Sequence, residues 1–156
     1  MSRWRLILTI FLVIAGGLPA RAGPPDITGW WLDGSGRGGI LIENCADKLC
    51  GAIRWLKEPL DPKTGKPKVD NKSDDPAFKG HPICGLKILW DFTFDEPDRW
   101  THGRIYDPES GNVYKSTLTP KADGTLDVRG YVGISLFGES QIWRRPAAPL
   151  PDCRAG

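Results

Sequence analysis

No stretch of this 156-residue sequence is apolar for long enough to cross a bilayer: the longest run, Leu6 to Ala15, falls short of the roughly 18 residues a spanning helix needs. The chain therefore does not read as an integral membrane protein. Histidine is scarce, with His81 and His102 alone, and the cysteines lack the paired CxxC spacing of a zinc site. No metal or cofactor is called for. Lysine and arginine form no stripe interleaved with aromatics, which argues against a nucleic-acid partner. The Ser-x-Gly-Cys run of exported cysteine transpeptidases is missing too.

What is present begins with "MSRWRLILTIFLVIAGGLPARA". Arg3 and Arg5 precede the apolar run, and small residues with Ala20-Arg21-Ala22 follow it, the order of a cleaved secretory signal. The expectation is that residues 1–22 are removed after Ala22, leaving one soluble periplasmic domain over 23–145 and a proline-rich tail over 146–156. Losing Arg3, Arg5 and Arg21 takes the basic residues from 21 to 18, against 19 acidic ones, so the mature chain is close to neutral.

Cys45, Cys50, Cys84 and Cys153 all lie beyond the cut, where thiols oxidise. In "ENCADKLCG" the four residues "ADKL" form a turn between two apolar runs, so a hairpin would bring Cys45 and Cys50 together. Cys84 with Cys153 follows by elimination among the three possible pairings.

The dominant sequence period is two. Ile40 and Ile42 alternate with Leu41 and Glu43; Leu86, Ile88, Trp90 and Phe92 alternate with Lys87, Leu89 and Asp91. Such alternation marks strands with one buried face. Eight are predicted, near 28–33, 38–44, 49–56, 86–93, 99–106, 113–119, 125–132 and 140–145, most separated by turn signals such as "DPESG" and "KADG". Short links in series make a meander, and about eight antiparallel strands escape unpaired edges by closing into an up-and-down barrel. The one long connection, 57–85, carries "SDDPAF", where Asp75 before Pro76 predicts a short helix. That segment is expected to be either a lid or plug over one barrel end or a solvated insertion.

Two resemblances follow from these residues. "GWW" at 29–31 and "QIWRR" at 141–145 resemble the signature of lipocalin-like barrels, in which a strand-one Gly-x-Trp is covered by an arginine from the last strand. The resemblance implies Gly29, Trp31 and either Arg144 or Arg145, joined by cation–π attraction. "GGILIENCADKLCGAIRWLKEP", "HPICGLKILWDF", "GRIYDPESGNVYKSTL" and "DGTLDVRGYVGISLFGESQIWRR" together resemble the bacterial exported family catalogued as domain of unknown function 2147. That resemblance implies a periplasmic lipocalin-like (calycin-like) barrel and brings no catalytic residues.

Asp107 and Glu109 in "DPESG" could pair for glycoside hydrolysis, but a hairpin tip keeps both in water, and Pro108 and Gly111 suit a turn. "DNKSDD" at 70–75 offers oxygens to calcium, but Lys72 stands where a ligand should be, so it reads as a solvated loop. Cys84 with His81 or His102 could serve a cysteine-dependent enzyme only if the thiol stayed unpaired. Binding is the reading carried forward. Regular alternation puts Trp100, His102, Arg104 and Tyr106 on one face of the fifth strand, and Tyr114, Ser116 and Leu118 on one face of the sixth. If those faces point inward, Trp90, Arg104, Tyr106 and Tyr114 contact a small apolar or amphiphilic envelope molecule. The alternative is a filled barrel that docks an envelope protein partner through its 57–85 loop.

Overall fold

The computed structural model describes residues 23–95 and 97–154; the expected signal segment, 1–22, lies outside the described residues. Eight strands run in chain order: β1 Gly29–Leu32, β2 Gly38–Cys45, β3 Lys48–Leu56, β4 Lys87–Asp95, β5 Arg99–Asp107, β6 Asn112–Pro120, β7 Leu126–Tyr131 and β8 Gly138–Trp143. They form one antiparallel sheet in the order β1 to β8. The sheet curls until its edges meet at a single bridge, where Leu32 N donates to Arg144 O (2.8 Å) and Arg144 N to Leu32 O (3.0 Å). Curling in this way leaves neither edge strand wholly open to another chain.

Alternation decides the faces. Ile40 lies opposite Ile53 and Ile42 opposite Gly51, and a Cβ on Gly51 would touch Leu89 and Ile40, so these residues share the inner face. Leu89 in turn pairs with Ile105, and Ile105 with Tyr114. The core is one buried cluster, in which Leu49, Phe92, Leu118, Leu126 and Val128, toward the end reached by β3's first residues and β6's last, are joined by Ile40, Ile53, Ile88 and Trp143. Phe92 occupies this core because Gly103 has no side chain; a Cβ on Gly103 would lie 2.3 Å from the Phe92 ring.

Two disulfides are present. Cys45–Cys50 closes the β2–β3 hairpin (Cα–Cα 5.8 Å), and Cys84–Cys153 ties the tail to the long connection (Cα–Cα 6.1 Å). The tail is held further by Cys153 N donating to Arg54 O and by Arg54 paired with Asp152. None of the four cysteines is free, so the Cys84 thiol needed for a cysteine-dependent enzyme does not exist.

Two expectations are corrected. "SDDPAF" makes turns and no helix: Asp75 Oδ1 accepts from Ala77 N, and Asp75 O from Phe78 N and Lys79 N, after which Gly80 turns the chain at φ 77°. The short 3-10 helix falls instead at Ser135–Phe137, between β7 and β8. The second correction concerns β5. His102 sits at φ 61° in a bulge, so Trp100 pairs with Leu118 while Gly103 pairs with Ser116. The extra residue inverts the alternation, so Arg104 and Tyr106 lie on the face opposite Trp100.

Candidate functional site

The meander topology places the 33–37 turn, the 57–86 connection, the 108–111 hairpin and the 132–137 loop at one end of the barrel. At this end a cleft of about 1490 Å³ opens. Its floor is the upper inner wall, with Ile40, Ile53, Ile88, Ile105 and Trp143; Leu56 and Ile83 stand at the side. Residues 57–72 border it as a strap, anchored where Lys57 N donates to Arg37 O. Arg37 also pairs with Glu109 (3.0 Å), linking two mouth turns.

The strap is latched through its buried end. Asp70 is 1% exposed, and its carboxylate accepts from the Tyr106 hydroxyl, from Lys72 N (2.8 Å) and from Ser73 N (3.1 Å). Phe78 stacks on the Tyr106 ring (centroids 3.9 Å apart, 8° between planes) and reaches Trp90 at 6.2 Å. Burial alone would raise the Asp70 pKa, but the bonds from Tyr106, Lys72 and Ser73 outweigh it and the carboxyl titrates below its usual range. Burial, then the bond to Asp70, pushes the Tyr106 phenol up to about 12. The 70–75 segment is thus no solvated loop at its start. Neither there nor elsewhere among the described residues do three His, Cys, Asp or Glu side chains gather as a metal site would require.

The rim is polar and its charges are unevenly matched. Asp33, Asp61 and Asp107 each hold neighbouring backbone amides. Glu58 and Glu109 face Lys68 and Arg37. Lys57, Lys66, Lys72 and Arg144 border the cleft and form no ion pair among the described residues.

Of the four contacts read from sequence, Tyr106 alone borders the cleft, from the rim. Trp90 pairs with Arg104 on the outer face, where Phe78 covers Trp90. Tyr114 shares the inner face with Ile105, and its hydroxyl meets Ser110 Oγ at 3.2 Å. The lining isoleucines were legible as buried strand positions, yet nothing in their alternation told floor from filled core. Asp70 and Phe78 went unrecognised because their burial depends on a contact across 36 and 28 residues of chain.

At the seam, Trp31 is covered by a guanidinium 3.9 Å from its ring centroid, and the guanidinium is that of Arg145. Its Nη1 also donates to Thr28 O (2.6 Å) and Trp30 O (3.3 Å). Arg144 uses its backbone for the bridge to Leu32, so alternation sends its side chain the other way, to the cleft border.

Residues 29–145 match the model of a family described as an uncharacterized protein conserved in bacteria (DUF2147). The chain belongs to this family. Among solved structures, the chain is similar to HP1028 of Helicobacter pylori, described as belonging to the lipocalin family. The TM-score is 0.63 at 15% identity, over 78% of this chain and 84% of that one. At that identity the likeness establishes a shared lipocalin-like fold. No curated protein matches. Among the described residues no helix of this DUF2147 member is long and apolar enough to cross a membrane.

Proposed function

We propose that this protein binds a small apolar or amphiphilic envelope molecule in the mouth cleft and works in the periplasm. The observation carrying this reading is the mouth cleft itself, which borders Ile105 and the edge of the buried cluster at Ile40, Ile53 and Ile88. An apolar floor under a polar rim is how small-ligand sites supply affinity and orientation separately. Lys57, Lys66 and Lys72, which form no ion pair among the described residues, suit an acidic head group, with the hydrocarbon part on the isoleucines. Two disulfides fit an oxidising compartment.

The test is displacement of the dye 1-anilinonaphthalene-8-sulfonate by dodecanoate and by dodecylamine. Saturable dye binding, displaced by dodecanoate better than by the amine and lost in Ile105→Trp, supports the reading. Dye binding that Ile105→Trp leaves unchanged would place the dye elsewhere and overturn it.

A further inference from the structure

Four large apolar side chains, Val132, Ile134, Leu136 and Phe137, stand exposed within the one loop between β7 and β8. Leu136 is 76% and Phe137 73% exposed, more than any other large apolar side chains described. An isolated exposed leucine needs no explanation, but a contiguous apolar tip marks an interaction surface.

The tip is built. Arg129 Nε donates to Ser135 O (2.8 Å), its Nη2 to Leu136 O (3.3 Å) and its Nη1 to Ser140 Oγ (3.2 Å). Lys115 Nζ donates to Gly133 O (3.3 Å). Two cations therefore gather the loop's carbonyls at its base while the hydrocarbon side chains point away. Neither cation has a carboxylate partner among the described residues; Asp127, two residues from Arg129, pairs with Lys121, and Glu139, just past the loop, joins no ion pair there.

We propose that this loop docks the protein on an anionic lipid bilayer. Val132, Ile134, Leu136 and Phe137 enter the acyl boundary, and Lys115 and Arg129 meet the phosphates above it. Charge complementarity selects this occupant: an apolar tip with two cations at its base, neither in an ion pair among the described residues, matches hydrocarbon lying beneath a negative headgroup layer. An apolar groove on a protein would match the tip and leave the cations without partners. Because the loop shares an end with the cleft, docking turns the mouth toward the bilayer. The inference stands whether or not the cleft holds a ligand.

Flotation with vesicles of phosphatidylcholine alone, and of phosphatidylcholine with a quarter phosphatidylglycerol, tests it. Parent and Leu136→Ser/Phe137→Ser share one N-terminus, so any contribution from that segment cancels. The parent should float with anionic vesicles, and the double substitution should weaken partitioning by more than about tenfold. Lys115→Gln should cost about fivefold, an effect that added salt removes. Phe137→Trp should shift its fluorescence to the blue on anionic vesicles. Binding that survives the double substitution unchanged, or no binding to anionic vesicles, overturns the proposal. A lipid-free dimer that the double substitution dissociates would assign the tip to a second copy instead, and likewise overturn it.

Discussion

Replacing Tyr106 by Phe tests how the strap is held over the cleft. The phenylalanine keeps the ring against Phe78 and removes only the hydroxyl that donates to the buried Asp70 carboxylate. Two donors remain, Lys72 N and Ser73 N, so the carboxylate is under-bonded and not bare. A hydrogen bond to a charged group contributes about 1.5–3 kcal/mol, and the loss should appear first as easier opening of the strap. In native-state hydrogen exchange, the amides of Lys72, Ser73 and Gly80, whose acceptors are all on Asp70, should exchange roughly 10- to 100-fold faster. The pH dependence has a definite sign. The Asp70 pKa is lowered by folding, so its contribution is full above the unfolded carboxylate value of about 3.9 and fades as pH falls through the folded one. Tyr106, raised to about 12, contributes fully below its unfolded value of about 10 and loses that contribution as pH climbs through the folded one. Parent and variant should therefore differ most between these limits and converge in acid. Exchange rates in Tyr106→Phe equal to the parent's at neutral pH would refute the latch.

Three further outcomes follow from the seam, the tail and the cleft. Arg145→Ala removes both the cation–π contact on Trp31 and the bonds to Thr28 O and Trp30 O, and should lower urea stability by about 1–2 kcal/mol, whereas Arg144→Ala should stay within about 0.5. Cys153→Ser opens a link spanning 69 residues, worth about 4 kcal/mol by chain entropy, and a thermal melt should show the loss; adding reductant to the parent should produce a larger drop, because Cys45–Cys50 opens as well. Ile53→Trp, at the floor, should abolish dye binding while leaving the far-ultraviolet circular dichroism of the sheet unchanged.

Period-two alternation between turn residues was sufficient to read all eight strands, because each buries one face and, outside the long 57–86 connection, is joined to the next by a link short enough for a hairpin. The 103–118 hairpin was readable to the residue: Asp107 faces Asn112, Tyr106 faces Val113, and Gly111 takes the left-handed position at φ 74°. Side-chain direction beyond that hairpin was not legible. A histidine at positive φ carries no sequence signal, and the bulge at His102 moves Arg104 and Tyr106 to the face opposite Trp100, where Phe78 covers Tyr106. One residue likewise separates Arg144 from Arg145, and only the bridge to Leu32 decides which guanidinium reaches Trp31. The 57–86 connection stood out by its length and composition. Its latch did not, since Asp70 becomes buried through Tyr106 and Phe78 meeting from separate parts of the chain.

Native mass spectrometry of protein purified from its own cells, run beside the Ile105→Trp form, tests the central claim most directly. The account predicts a reproducible extra mass of small amphiphile size on the parent, absent from the variant with the blocked floor. Bare protein in both, across several growth conditions, would contradict it.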